Sequence, residues 1–352
     1  MSERVRMALV GCGAIQPLHR LGLEQSGAPI DVVAVVDPDR SRAAAASEAT
    51  GAPAFADLDA AVEATSPDAV DLMLPHHLHE QVAVACLDAG LHVLLEKPMA
   101  PTVEACERIM AAAARAGTVF MVAENAQYWP EVLTVRDELS AGSIGQVVTA
   151  RAVTFFPPLP DFYGSPEDAG RSGGPGPSEG SDVPWRFSVA ATGGGVAIDS
   201  GSHWIRPLRL WLGEVHEVVA ALGHPFPGME GESLVRSLMR FDSGVVASFD
   251  ALLTAAPLAP EVLFRVTGTE GELVIDMAGQ VMRYRRGARR GEQVGETRGY
   301  FDSYAGQFTD FAEAVLHGTA PAAGPESALG ELRAALAMYR SAGSGRWEQV
   351  WS

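Results

Sequence analysis

Lys97 is the first residue whose position in the sequence suggests chemistry. It follows the apolar run Val93–Leu95 and Glu96 directly, and Pro98 comes next. A buried strand is predicted over 92–96, and ligands of open α/β sheets bind beyond the carboxyl ends of the strands. Pro98 ends the strand and fixes the turn, with a cis peptide bond as one option. Lys97 is therefore expected at the mouth of a cleft, either as a site residue or as a strand-end lysine in a salt bridge.

Asp199 and His203 form the second candidate set, after the glycine run Gly193–Gly195. Residues four apart lie on one face of a helical turn, so both side chains can reach one substrate atom. An N-capping aspartate beside a surface histidine is the alternative. Combined with an aimed Lys97 and a nucleotide-binding turn, the pair favours an active site, because independent features then converge.

The elements that position these residues begin with a dinucleotide-binding turn. The apolar run Val5–Val10 leads into Gly11-Cys12-Gly13-Ala14-Ile15-Gln16. Strand, glycine turn and helix together are typical of a pyrophosphate site, where Gly11 permits the turn and Gly13 lets the phosphates approach the helix start. The match is incomplete because Gln16 stands where glycine or alanine is usual.

Asp37 ends the β-branched run Val32–Val36, 26 residues after Gly11. A carboxylate there accepts hydrogen bonds from the adenosine ribose and repels a 2′-phosphate, which favours NAD. Arg40 and Arg42 follow closely, so NADP is the alternative cofactor. Asp37 is otherwise interpreted as a helix N-cap or a turn residue before Pro38.

The first third of the chain alternates strands with helices, which predicts a parallel, doubly wound sheet. The further strands are predicted over 69–74, 92–96 and 119–124. The helices are predicted over 42–50, 58–64, 76–89 and 102–116, with Thr102 as an N-cap and Gly51, Gly90 and Gly117 at helix ends.

Three motifs together resemble the Gfo/Idh/MocA oxidoreductases, the relatives of glucose-fructose oxidoreductase and inositol dehydrogenase. The motifs are Gly11-Cys12-Gly13, Pro75-His76-His77-Leu78-His79-Glu80 and Glu96-Lys97-Pro98. The family reads Thr and Asn where this chain has Leu74 and His76, and its proline after the lysine is cis. The second half adds the family pattern Gly-Gly-x-x-x-Asp-x-Gly-x-His, ending in Asp199 and His203.

The motifs and the resemblance together assign site residues. The catalytic candidates are Lys97, Asp199 and His203. Cofactor binding is assigned to Gly11, Gly13, Ala14, Ile15, Asp37, Pro75, His76, His79, Glu96, Lys97, Asn125, Trp185 and Arg186. Substrate binding is assigned to Lys97, Gln127, Tyr128, Asp199, His203 and Arg206. No metal site is expected. Arg206 stands where the family has aspartate, and it would meet a carboxylate or polyhydroxylated ligand, or pair with an acidic neighbour.

The second half is predicted to form an α+β domain with a large, mostly antiparallel open sheet. Strands are predicted over 146–156, 214–222, 233–241, 245–253, 262–267, 272–275 and 281–284, with a hairpin turn at Asp242-Ser243-Gly244. The loop over 157–184 is interpreted as a flap over the substrate, or as an insertion without a role. Pro207 indicates a kink or a helix that begins late. The predicted domains are 1–124 (Rossmann), 125–325 (substrate and oligomerisation) and 326–352 (a C-terminal helix and tail that pack on the first domain).

Composition restricts the partners. The net charge of −18 argues against nucleic acid and against anionic membrane surfaces. The three cysteines lack metal-ligand spacing and indicate a reduced, cytoplasmic protein. No apolar run of membrane length is present. The resemblance implies a homodimer or homotetramer formed through the C-terminal sheet.

The predicted reaction is hydride transfer between a secondary hydroxyl of a sugar, glycoside or cyclitol and NAD, with NADP as the alternative. His203 would exchange the hydroxyl proton, Lys97 would stabilise the oxygen, and Asp199 would orient both. One alternative is transient oxidation in the same cleft, which serves elimination, epimerisation or glycoside cleavage without net redox. Another is a nucleotide-sensing regulator without turnover.

Overall fold

The computed structural model of the protein describes residues 4–163, 184–256, 258–297 and 302–352. The chain divides into two compact units. Unit 1 comprises Met1–Asn125 and Phe301–Leu329, and unit 2 comprises Ala126–Tyr300 and Gly330–Ser352. The domain boundaries predicted after 124 and 325 stay predictions. Within the described residues, no helix combines the length and the apolar character needed to cross a membrane.

Residues 4–128 form six strands, five helices and two short 3-10 turns. The strands are β1 (Val5–Val10), β2 (Ile30–Val36), β3 (Ala54–Phe55), β4 (Ala69–Leu72), β5 (His92–Glu96) and β6 (Phe120–Ala123). The helices are α1 (Gln16–Ser26), α2 (Arg40–Thr50), α3 (Leu58–Thr65), α4 (His79–Asp88) and α5 (Val103–Ala116). The 3-10 turns are His76–Leu78 and Asn125–Tyr128.

Unit 1 contains a doubly wound parallel sheet with the order β3-β2-β1-β4-β5-β6, which confirms the predicted fold class. Strands β4 and β6 are buried at every position, as expected for strands covered on both faces. The strand order reverses between β1 and β4, so the residues that follow these strands and β5 lie where such sheets bind ligands.

Capping residues explain several helix boundaries of unit 1. The side chain of Asp39 accepts hydrogen bonds from Ser41 N and Arg42 N at the start of α2, and Thr102 accepts from Ala105 N at the start of α5. The prediction of one continuous helix over 76–89 is wrong. A 3-10 turn precedes α4, because the chain leaves Pro75 with its carbonyl accepting from Leu78 N.

The rest of the chain supplies seven further helices and nine further strands among the described residues. The helices are α6 (Pro130–Ser140), α7 (Pro160–Tyr163), α8 (Val189–Thr192), α9 (Val196–Asp199), α10 (Ser202–Leu212), α11 (Asp302–His317) and α12 (Pro325–Ser344). The strands are β7 (Val147–Phe156), β8 (Val215–Gly223), β9 (Leu234–Phe241), β10 (Val246–Leu253), β11 (Phe264–Gly268), β12 (Gly271–Ile275), β13 (Val281–Arg285), β14 (Glu292–Val294) and β15 (Glu348–Gln349). A further 3-10 turn spans Trp185–Phe187.

Unit 2 is built on a nine-stranded sheet with the order β14-β13-β12-β11-β7-β10-β9-β8-β15. Its pairs are antiparallel except β7 with β10, which confirms a mostly antiparallel sheet. Gly244 turns the predicted β9–β10 hairpin with a φ of +82°. Of the predicted 157–184 flap, residues 164–183 lie outside the described residues.

Two helical predictions for unit 2 need correction. The sequence pattern missed α6, although Pro130 begins it and Val132 and Val135 give it a buried side. The single helix expected to contain Asp199 and His203 is two helices, α9 and α10, because the Ser200–Gly201 turn separates them. Pro207 lies inside α10, which begins three residues after α9 ends.

Candidate active site

The turn after β1 is held by Asp37, at the end of β2. Its Oδ2 accepts from Cys12 N at 2.8 Å, and its Oδ1 accepts from Asp39 N at 2.8 Å. Arg42 donates from Nη2 to Oδ1 at 2.9 Å and also pairs with Asp39. Asp37 is buried. Its carboxylate fixes the glycine turn through Cys12 N and forms an ion pair with Arg42.

The residues of this turn fit a bound dinucleotide. A Cβ on Gly11 would lie 2.2 Å from the Met73 carbonyl oxygen, and its φ of +93° also requires glycine. A Cβ on Gly13 would project into open space, which leaves room for phosphates beside the start of α1. Gln16 Nε2 is buried and has no hydrogen-bond partner among the described residues. A buried, unpartnered donor is suited to a ligand oxygen. Ala14 and Ile15 are half-buried in the same turn.

The ring of His79 holds the segment that follows β4. Its Nδ1 lies 2.9 Å from the Pro98 carbonyl oxygen, and its Nε2 lies 2.8 Å from that of Leu74. Burial lowers the pKa of His79, and the hydrogen bonds to the Leu74 and Pro98 carbonyl oxygens oppose that effect. His76 is also buried, with its ring 5.7 Å from that of His79. Pro75 and His76 are thus held near Lys97 through the Pro98 contact.

Lys97 follows β5 directly and is half-buried. Its backbone N–H donates to Glu96 Oε2 at 3.0 Å, and the Lys97–Pro98 peptide bond is cis, which confirms the expected isomer. Glu96 in turn contacts the buried His19 through Oε1 at 2.9 Å. The backbone on both sides of the Lys97 side chain is therefore tied to the core of unit 1.

Lys97 is also the single lysine of the chain. The sequence has 26 lysine and arginine residues, and every basic position other than 97 is arginine. Arginine keeps its proton at all physiological pH values, whereas lysine can lose it. A position that needed only a positive charge has no evident reason to be the one lysine in such a chain. The single lysine is thus a signal in the composition that the motifs alone do not contain.

In unit 2, Asp199 ends α9 and is buried. The Tyr163 hydroxyl donates to its Oδ2 at 3.0 Å, and Arg186 Nε lies 3.3 Å from the same oxygen. Burial and the neighbouring charge of Asp199 raise the pKa of Tyr163 well above its usual range, so the hydroxyl keeps its proton. The Arg186 guanidinium lies over the Trp185 ring, 4.2 Å from its centroid. Sequence analysis found Arg186 and Trp185 but missed Tyr163.

His203 lies in the first turn of α10 and is half-buried. Its ring lies 6.1 Å from that of Trp129, which is buried. Ser200 and Gly201, between Asp199 and His203, both have right-handed helical dihedrals. The backbone from Asp199 to His203 therefore keeps a helical conformation, although α9 and α10 are assigned as separate helices.

A buried carboxylate holds the glycine segment that leads to Asp199. Glu232 accepts from Gly195 N at 2.9 Å and from Ala197 N at 2.8 Å, and the Tyr339 hydroxyl donates to it at 3.1 Å. A Cβ on Gly194 would lie 2.1 Å from the Tyr339 hydroxyl oxygen. The approach of Tyr339 leaves no room for a side chain at Gly194. The hydrogen bonds to Glu232 fix the start of α9.

The remaining predicted residues have structural partners. Arg206 is 2% exposed and pairs with Glu331, and its Nη1 donates to Gln127 Oε1 at 3.1 Å. Of the two alternatives for Arg206, the structure contains the acidic neighbour. Asn125 Nδ2 donates to Ser303 Oγ at 3.0 Å, and Tyr128 is half-buried.

Two family models match the chain. A model described as "Oxidoreductase family, NAD-binding Rossmann fold" covers residues 5–124, and one described as "GFO/IDH/MocA C-terminal domain" covers 132–274. The chain belongs to the Gfo/Idh/MocA oxidoreductase family. This membership confirms the resemblance seen in the motifs. It also identifies residues 5–124 as an NAD-binding Rossmann domain.

Several known proteins of this kind are similar to the chain. Levoglucosan dehydrogenase of Pseudarthrobacter phenanthrenivorans is 28% identical over 59% of this chain and 55% of its own length. Inositol 2-dehydrogenase of Corynebacterium glutamicum is 35% identical over 46% of this chain and 49% of its own. The chain thus spans about half the length of these curated relatives. A levoglucosan dehydrogenase solved with NADH and levoglucosan has a TM-score of 0.86 at 21% identity, covering 99% of this chain and 100% of that one, which shows the shared fold.

Proposed function

We propose that the protein is an NAD-dependent dehydrogenase that oxidises a secondary hydroxyl of a sugar, glycoside or cyclitol, or reduces the corresponding ketone. Bound nicotinamide would accept or supply the hydride. The observation that carries the proposal is the single lysine, which directly follows β5 at the carboxyl edge of the Rossmann sheet. Family membership and the relatives that act on levoglucosan and inositol support this substrate class.

The proposed roles follow from the chemistry of each group. Lys97 donates a hydrogen bond to the carbinol oxygen and stabilises the negative charge that develops there. His203 takes the hydroxyl proton during oxidation and returns it during reduction, a contribution of about 10²–10⁴ in rate. Asp199, with Tyr163 and Arg186 on its Oδ2, orients the substrate. Asp37 supports NAD over NADP, because a 2′-phosphate would meet its carboxylate.

Three variants test these roles. Lys97→Met and His203→Ala should each lower kcat by about 10²-fold or more with levoglucosan, myo-inositol or a related sugar as substrate. NADH affinity, measured by fluorescence titration, should stay within a few-fold of the parent. Lys97→Arg is the matched control for charge, and it should be nearly as impaired as Lys97→Met.

The outcomes separate the competing functions. Substrate-dependent formation of NADH supports a dehydrogenase, whereas product formation without net NADH would indicate transient oxidation instead. Near-normal turnover in both Lys97→Met and His203→Ala would refute the assigned roles. Full activity in Lys97→Arg would show that position 97 needs only a positive charge.

A further inference from the structure

A buried group of three titratable side chains lies behind Lys97 in unit 1. His19, on α1, has its Nδ1 2.8 Å from Asp71 Oδ2 on β4 and its Nε2 2.9 Å from Glu96 Oε1 on β5. His19 and Asp71 are 0% exposed and Glu96 is 8% exposed. We call these three residues the His19 cluster. Sequence analysis assigned a role only to Glu96.

The cluster is charged. Each of the two nitrogen–oxygen contacts needs one proton, because an ionised carboxylate oxygen and an unprotonated ring nitrogen both only accept. Burial raises the pKa of Asp71, and the charge of His19 and its hydrogen bond oppose that effect. Burial by itself would lower the pKa of His19, but the charge of Asp71 and the hydrogen bonds to Asp71 and Glu96 outweigh it and raise the pKa to about 10. The imidazolium is also enclosed by the rings of Tyr304 and Phe308, whose centroids lie 5.6 and 5.7 Å away. His19 therefore carries a proton on each nitrogen at neutral pH.

Glu96 connects this charge to Lys97. Its two oxygens contact different partners, since Oε1 faces His19 and Oε2 accepts from Lys97 N at 3.0 Å. The orientation of the carboxylate therefore depends on both contacts. We propose that His19, by bridging Asp71 and Glu96, is a positioning residue that fixes Glu96 against the Lys97 backbone and so sets the direction of the Lys97 side chain.

Packing alone does not explain such a cluster. Burying an ion pair has a large desolvation cost, and well-packed apolar side chains of similar volume are often as stable. A role in geometry does explain it, because catalytic groups must be held within a fraction of an ångström and supporting hydrogen bonds provide that precision. The inference rests on the proposed function, in which Lys97 acts on the substrate.

The test compares His19→Gln, His19→Leu and Asp71→Asn with a matched control, His92→Gln. His92 lies at the opposite end of β5 and accepts a hydrogen bond from Val119 N at 2.9 Å, so its loss also removes a histidine contact from the same strand. The expected result for His19→Leu is a fall in kcat of about 10²-fold with KM and NADH affinity nearly unchanged. His19→Gln, which keeps one donor, and Asp71→Asn should be impaired less. His92→Gln should keep the parent kcat.

A second measurement reads Lys97 directly. Because the chain has one lysine, an amine reagent such as trinitrobenzenesulfonate has two amine targets, Lys97 and the N-terminal amine, and mass spectrometry of peptides distinguishes the modified sites. The pH dependence of the Lys97 reaction rate should shift in the His19 and Asp71 variants and stay as in the parent in His92→Gln. A merely structural role for His19 would lower Tm without this shift.

The outcomes distinguish this inference from the proposed function. If Lys97→Met is inactive but the His19 and Asp71 variants keep the parent kcat and the parent Lys97 reactivity, the positioning role is refuted and the proposed function stands. If Lys97→Met keeps normal turnover, the proposed function fails, and the reactivity measurement still decides whether His19 positions Lys97. Asp71→Asn and His19→Gln keep the test valid if His19→Leu does not fold.

Discussion

Tyr163 donates a hydrogen bond to Asp199 Oδ2 at 3.0 Å, and Arg186 contacts the same oxygen. Two donors on one carboxylate oxygen restrict the rotation of the Asp199 carboxylate. Tyr163 and Asp199 are both buried, and Asp199 and Arg186 are both predicted site residues. The relationship makes Tyr163 the residue of unit 2 that most needs a functional test.

We expect Tyr163→Phe to impair substrate use more than folding. The variant keeps the ring, which packs against Phe187, and removes the donor to Asp199. Leaving a buried carboxylate short of one hydrogen bond should lower kcat/KM by about tenfold or more, in line with about 1–3 kcal/mol for an unsatisfied buried group. Steady-state kinetics and the thermal midpoint would be measured together. A parent-like kcat/KM would show that the Tyr163 hydroxyl is not needed to orient Asp199.

Asp37 should determine the choice between NAD and NADP. In Asp37→Ser, the carboxylate that would repel a 2′-phosphate is gone and Arg42 loses its 2.9 Å partner. The released guanidinium can then pair with a phosphate, so the ratio of kcat/KM for NADP to that for NAD should rise by about 10- to 100-fold, the size of a charged hydrogen-bond effect. Arg42→Ala in the same background is the control. It should abolish the gain, and a gain that persisted without Arg42 would contradict this explanation.

Gln16 should contribute to dinucleotide binding through its buried Nε2. Gln16 is the first residue of α1, directly after the glycine turn, and no described residue satisfies its Nε2 donor. We expect Gln16→Leu, which keeps the volume and removes the donor, to weaken NADH binding about tenfold, consistent with about 1–1.5 kcal/mol for one hydrogen bond. Isothermal titration of NADH measures it without turnover. An unchanged Kd would mean that Gln16 does not contact the dinucleotide.

The sequence predicted the parts of the site that are local in the chain. The Gly11–Gly13 turn and the helix ends at Gly51 and Gly117 each follow from dihedral or capping preferences of a few neighbouring residues, whereas the cis bond at Pro98 was implied by the family resemblance. The missed residues depend on contacts across long separations. His19 meets partners 52 and 77 residues away, and Glu232 meets Tyr339 across 107 residues. No local pattern encodes such pairs in a single sequence.

The pairing of Arg206 with Glu331 is predicted to support stability. Glu331 is buried and contacts both Arg206 and Arg209, so Glu331→Gln leaves two buried guanidinium groups without that carboxylate charge. Breaking a buried pair from one side should lower the free energy of unfolding by about 3–5 kcal/mol.

Glu214→Gln is the matched control, because Glu214 also pairs with Arg209 but its side chain is 46% exposed. It should cost less than Glu331→Gln, because Glu214 is half exposed and Arg209 keeps its contact with Glu331. Urea unfolding followed by circular dichroism gives both values.

The alternative is that Arg206 contacts the substrate. In that case Arg206→Met would raise KM severalfold, while Glu331→Gln would leave the free energy of unfolding unchanged. That combination would return Arg206 to the set of substrate-binding residues.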